Sequence, residues 1–221
     1  MKILNEIFVS MPKSNDGSPV LAAKIQAPEK GAIGWETTVR FEDGVSCFVT
    51  VDRKPLDLQS GRTIEECYTA YTSKKLGFFG QDKNAQFVIY AYRTRVDGCV
   101  VGTRIPFVDR ADDCEKTLMT FWNYSISVIK PENLVKEVTS TPDGIVTVFE
   151  CCRIFREHGN LQGILEQAVS EKLRVVPFNE IRSCIADISD NVKDRFKTRG
   201  TAIDMGLDIA SFTLGDIKIA E

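Results

Sequence analysis

Hydrophobic and polar positions alternate along this chain with two different periods, and the change comes near residue 140. Before it, short apolar segments are separated by turn residues. After it, apolar residues recur at helical spacing. Period two puts every second side chain on one face of a strand, whereas steps of three and four mark one side of a helix. Val20 to Ala27 reads as a short strand. Trp35 to Phe41 alternates and leads through Glu42-Asp43-Gly44 to Val45–Val51. An Asp-Gly pair between two such runs predicts a hairpin, because both central positions of a type I′ turn need positive φ. Asp52 to Gly61, with Pro55 inside it, reads as a connection, and Thr63 to Lys75 fits either a short helix or an extended piece. Phe87 to Arg95 (FVIYAYRTR) is aromatic, β-branched and alternating, as a strand requires. Val96-Asp97-Gly98 predicts a second turn, with Cys99 to Phe107 as the partner strand. Leu118 to Ile129 predicts another strand, long enough to carry a bulge near Asn123. Pro131 then opens a short helix over Glu132 to Glu137, at a position where no amide hydrogen is needed.

In the second part, Leu161, Ile164, Leu165, Ala168 and Val169 mark one side of a helix whose N-cap is Asn160. Pro177 ends that segment. A second helix is expected from Asn179, with the stripe Ile181, Ile185, Ile188, Val192 and Phe196. After Gly206 the alternation returns, with Leu207, Ile209, Ser211 and Thr213 on one face of a strand. Ile145 to Phe155 stays open: its Val and Ile content favours strand, while Thr141-Pro142-Asp143 resembles the start of a helix. The expected organisation is an N-terminal arm and polar linker over 1–19, a β-rich subdomain over 20–140 and an α/β subdomain over 141–221. Strands followed by helices make this an α+β chain.

Composition narrows the function classes. Of 221 residues, 43% are hydrophobic and 27% charged, the mixture of a soluble globular protein. The net charge of -3 lacks the basic excess that phosphate-gripping domains carry, so no nucleic-acid partner is expected. The seven cysteines show no CxxC spacing, and His158 is the only histidine, which argues for reduced, buried thiols over a zinc site. The first ten residues do not form a signal peptide, since Asn5 and Glu6 interrupt the apolar stretch. No apolar run reaches the length of roughly 20 residues that crosses a bilayer, so a cytoplasmic chain is expected.

Motifs that carry chemistry are sparse. His158 lies in a charged stretch and reads as a solvated flank of a helix, although a Cys151 or Cys152 pair with it could form in three dimensions. The Gly31–Gly34 segment lacks the Lys-Ser/Thr of a phosphate loop. Asp109, Asp112 and Asp113 lack the spacing of a calcium loop. No catalytic residue, cofactor or metal is therefore expected. Two surfaces have sharper readings. Lys74, Lys75, Leu76, Phe78 and Phe79 would place cations beside apolar wedges, a candidate peripheral membrane contact if the segment is exposed. The polar side of the second helix carries Arg182, Asp187, Asp190, Lys193, Asp194 and Lys197, either a solvated face or a contact with a neighbouring subunit.

From Val101 the order of motifs resembles a known family. Gly102-Thr-x-Ile-Pro-Phe-x-Asp109 is followed by Phe121-Trp-Asn-Tyr-Ser-Ile-Ser-Val-Ile and then Lys130-Pro-Glu-Asn-Leu. With the Phe87–Tyr92 strand upstream and Met205-Gly-Leu-Asp-Ile-Ala-Ser-Phe downstream, the chain resembles the SPFH or band 7 superfamily of stomatins, prohibitins and flotillins. It is most similar to the bacterial and phage branch described as virion-core-like. The resemblance spans roughly residues 20–219 and rests on motif order. It implies a β-rich half followed by an α/β half, self-association into homo-oligomers, and a scaffold role at or near membranes with no catalytic residues. Family members usually also carry an N-terminal membrane segment and a long coiled-coil helix, neither of which this sequence shows. The alternatives are a soluble adaptor or phage accessory protein using the same fold, and, more remotely, a cysteine hydrolase.

Overall fold

The computed structural model describes residues 3–26, 32–51, 54–72, 85–157, 160–198 and 204–220. It is a mixed fold of mostly antiparallel sheets and helices, as an α+β chain should be, and it divides into two compact units. The units are interleaved in sequence: one holds residues 1–94 and 130–149, the other 95–129 and 150–221. The contiguous division expected at 140 thus differs from the contact units, because the strand pair over 95–128 clusters with the C-terminal helices.

In the first unit, strands β1 (Glu6–Val9), β3 (Thr38–Phe41) and β6 (Arg62–Thr63) form a small sheet in the order β1-β3-β6. A second sheet has the order β10-β2-β7-β4-β5 and is antiparallel throughout. Its strands are β2 (Val20–Ile25), β4 (Val45–Val51), β5 (Lys54–Asp57), β7 (Phe87–Arg93) and β10 (Ile145–Thr147). The first residues are a strand and not an arm: Ile7 and Val9 are buried, and β1 runs parallel to β3. One apolar cluster joins Val9, Val39, Cys47, Val49, Ile64, Ile89 and Ala91 from both sheets and from α1 (Ile64–Thr72). Trp35 seals it edge-on against Tyr68 and Phe87, at centroid distances of 5.4 and 5.1 Å.

Helix α1 resolves the ambiguity at Thr63. The Thr63 hydroxyl accepts from the Glu66 amide at 3.1 Å while Glu66 accepts from the Thr63 amide at 2.8 Å, a capping box. The Glu42–Val45 turn forms, but β3 and β4 belong to different sheets, so it is a corner and not a hairpin. Only Gly44 has positive φ there (77°), which a type I′ turn does not allow. The expected connection over 52–61 contains β5, where Pro55 is tolerated because β5 is an edge strand. After a 3-10 turn at Pro131–Asn133, α2 (Leu134–Ser140) buries Leu134 and Val138.

The second unit is built on three long strands, β8 (Arg95–Asp109), β9 (Cys114–Val128) and β11 (Leu207–Ala220), in the order β11-β9-β8. Helices α3 (Val148–Glu157), α4 (Leu161–Leu173) and α5 (Ile185–Thr198) supply its other layer, with α4 on β8 and α5 on β11. Residues 145–155, left open by the sequence, are thus a short strand followed directly by a helix. The Asn160 carboxamide caps α4 through the Gly163 amide at 3.2 Å, as expected, and a Cβ on Gly163 would overlap that carboxamide. The second helix begins later than Asn179: Phe178–Cys184 is a 3-10 segment and α5 follows it. Its buried side is Ile188, Val192 and Phe196, with Ile181 buried in the 3-10 turn.

Two further expectations change in this sheet. Asp97-Gly98 is not a hairpin turn but a bulge inside β8: Val96 faces Ile126 and Cys99 faces Tyr124, which leaves both residues opposite Ser125. Strand β9 runs regularly through Asn123, and the other bulges lie on β11, at Ala210 and Gly215. The Ala210 bulge ends the simple alternation after Leu207 and Ile209, so Phe212 is buried while Thr213 is exposed.

Candidate functional site

Each strand of the long sheet has one face turned to the helices and one turned away. Cys99, Val101 and Ile105 of β8 and Leu118, Trp122 and Tyr124 of β9 are buried on the first face. Trp122 stacks on Phe212 at 5.1 Å, and Phe155 of α3 meets Tyr124 at 6.4 Å and Phe196 at 5.0 Å. A part-buried polar link crosses the layers, from the Thr103 hydroxyl to the Glu166 carboxylate of α4.

The second face is open. Register places Val100 beside Asn123 and Thr213, Gly102 beside Phe121, Arg104 beside Met119 and Lys218, and Val108 beside Glu115. Val100, Val108 and Phe121 are large apolar side chains exposed to 53%, 52% and 45%. The Phe121 ring lies over Gly102, where a Cβ would stand 2.9 Å from it, so the glycine supplies the seat for the ring. At one end of the face, Arg95, Asp97, Ser125 and Ser211 form a polar row across all three strands, with Arg95 donating to Ser125 at 3.2 Å and Ser125 bonded to Ser211. At the other end is a groove of about 690 Å³, lined by Arg104, Pro106, Val108, Glu115 and Thr117 among others. This face was missed in the sequence. Its signal was present in β8, where Val100 beside Val101 and Val108 beside Phe107 put apolar residues on both faces of one strand.

The polar side of α5 is partly committed within its own unit. Asp187 pairs with Lys172 at 2.7 Å, and Glu171 pairs with Arg195 at 2.7 Å, which ties α5 to α4. The Asp187 hydrogen bond raises the Lys172 pKa above the ordinary lysine value. Lys193 lies 3.7 Å from Asp190, and Arg182 donates to the Ile217 carbonyl at 3.5 Å. Asp194 and Lys197 are exposed. Arg182 and Asp187 are thus tied to neighbouring elements and Lys193 to its own helix, while Asp194 and Lys197 have no ion pair among the described residues. Lys74, Lys75, Leu76, Phe78 and Phe79, and also His158, lie outside the described residues.

The acidic loop after β8 is held by a lysine. The Lys116 ammonium lies 2.8 Å from Asp109 and 2.6 Å from Asp112. These hydrogen bonds hold both carboxyls below the usual range. No cluster of metal-ligating side chains occurs among the described residues. All seven cysteines are thiols: Cys47, Cys67, Cys99 and Cys151 are buried, Cys152 and Cys184 half-buried, Cys114 exposed. Burial pushes the Cys47 thiol up to about 12. Among the described residues, no helix is long and apolar enough to cross a membrane. No protein-family model matches the chain, and no curated protein matches it.

Proposed function

We propose that the chain is a non-enzymatic, self-associating scaffold of the SPFH type that organises membrane-associated or partner proteins. The observation that carries the reading is the open face of the long sheet. Exposed Val100 and Phe121 stand there, followed along the strands by Met119 with Arg104 and Lys218 and then by Val108, a surface of exposed apolar side chains and cations of the kind that serves protein contacts. The presence of a β-rich unit and of a unit of three long strands backed by helices supports the SPFH comparison as an analogy of fold. The outward Asp194 and Lys197 of α5 offer a second, charged contact.

Mass photometry over a concentration series tests the reading. The wild-type chain should populate multiples of its 24.7 kDa. Phe121→Asp should shift the distribution to the single-chain mass with an unchanged circular dichroism spectrum, and Lys197→Glu should shift it less. A wild-type protein of single-chain mass at every concentration would overturn self-association. That outcome would favour an adaptor that offers the same face to a different protein.

A further inference from the structure

Four Asp-Gly pairs lie in the chain, at 16–17, 43–44, 97–98 and 143–144. Such a pair is prone to imide closure, because glycine leaves its own nitrogen uncrowded and its peptide free to turn. The four are alike in sequence but not in the fold. The Asp16 carboxylate accepts from the Ser14 hydroxyl at 2.8 Å and from the Ser18 amide and hydroxyl at 2.9 Å each, and the Gly17 amide donates to the Ser14 carbonyl at 3.2 Å. The Asp97 carboxylate pairs with Arg95 at 2.8 Å inside the β8 bulge. The Asp143 carboxylate accepts from the Ile145 amide at 3.1 Å. Its Gly144 donates to the Thr141 carbonyl at 3.2 Å and accepts from the Lys24 amide at 2.8 Å. Asp43 and Gly44 differ. Both are exposed at the corner between β3 and β4, Gly44 has φ +77°, and a Cβ on it would meet nothing within 4 Å. Among the described residues, the Asp43 carboxylate makes no hydrogen bond or ion pair, and the Gly44 amide has no acceptor.

We propose that Asp43 is the site at which this protein forms isoaspartate, in preference to the other three Asp-Gly pairs. The Gly44 amide nitrogen attacks the Cγ carbon of the protonated Asp43 carboxyl. The N–C bond forms, the carboxyl hydroxyl leaves with the amide proton as water, and a five-membered imide closes. Water then adds to one of the two imide carbonyls. Opening at Cγ restores aspartate. Opening at the main-chain carbonyl breaks its bond to nitrogen, so that the chain runs on through Cγ and a free α-carboxylate remains. One water leaves and one returns, no electrons are exchanged, and the product has the starting mass. Closure requires the carboxyl to swing onto the next nitrogen while that peptide turns. Local bonds at Asp16 and Asp143, and the Arg95 pair at Asp97, oppose this movement. At Asp43 nothing among the described residues opposes it. The product adds one carbon to the main chain between Phe41, the last residue of β3, and buried Val45, the first of β4, at the corner that joins the two sheets.

Ageing of the full chain at neutral pH and physiological temperature tests this, with the urea-unfolded chain aged beside it. Isoaspartate in each tryptic peptide is counted by methyl transfer with an isoaspartyl methyltransferase and located by electron-transfer fragmentation. It should grow several-fold faster in Phe41–Arg53 than in Ser14–Lys24, Val96–Arg104 or Glu137–Arg153, and urea should remove that preference. Asp43→Glu, which would have to close a six-membered ring, should abolish the signal in its peptide. Retention of the signal in that variant would overturn the assignment to Asp43. So would no isoaspartate at Asp43, another pair leading in the folded chain, equal rates at all four, or the same preference in urea.

Discussion

Asp109 ends β8 with one carboxylate oxygen 2.8 Å from the Lys116 ammonium and the other accepting from the Ala111 amide at 3.1 Å. Both contacts favour the ionised form, the lysine first, so the folded pKa lies below the unfolded value of about 3.9. The sign follows by linkage. The contribution to stability is complete above the unfolded pKa and is lost as pH falls through the folded one. Asp112 shares Lys116 and shifts the same way. Asp109→Asn should therefore lower the melting temperature at neutral pH and flatten its decline below about pH 4. A decline as steep as that of the wild type would show that the Lys116 contact contributes nothing. The three aspartates were legible in the sequence as an acidic loop. The lysine that pairs with Asp109 and Asp112 lies on the next strand, so only the turn that pairs Asp109 with Cys114 identified it.

At the scale of elements, the long sheet is shaped where two bulges meet. Asp97-Gly98 on β8 and Ala210 on β11 both interrupt their ladders beside Ser125 of the central strand. Extra residues in flanking strands increase the local twist and bend, which helps a long sheet follow its helical layer. Gly98 has φ +79°, and a Cβ there would find open space, so the cost of replacing it is conformational and not steric. Gly98→Ala should lower stability by about 1 to 2 kcal/mol in denaturant titration, the penalty for a left-handed residue. A change within error would mean the bulge relaxes into regular pairing. Asp97-Gly98 was visible in the sequence as a turn signal. A local reading names a hairpin for such a pair, because the competing partner strand lies beyond the next turn.

For the whole molecule, interleaving has a direct consequence. Residues 130–149 return to the first unit after the β8–β9 pair has entered the second, and α3 begins at Val148 on the boundary of the two spans. A chain cut at residue 140 would leave β9 without β11, expose Trp122 and Tyr124, and remove β10 from the edge of β2. We therefore expect residues 1–140 to give poorly dispersed amide spectra over 95–129, whereas the full chain gives dispersed ones. Well-dispersed signals from that strand pair in the fragment would show that it folds without its helical layer.

The sequence by itself determined most of the elements. Period-two runs located β2, β4, β7 and β11, a helical stripe and Asn160 located α4, and Pro131 marked the turn into α2. These are local effects: side-chain direction, capping and fixed proline φ act within a few residues. Tertiary structure decided the pairings. It sent β3 and β4 to different sheets and turned a presumed hairpin into a bulge. It also assembled the open face of Val100, Phe121 and Val108. Each of these depends on which apolar surfaces bury one another across long stretches of chain, and that choice is made by the whole core, beyond the reach of any short window of residues.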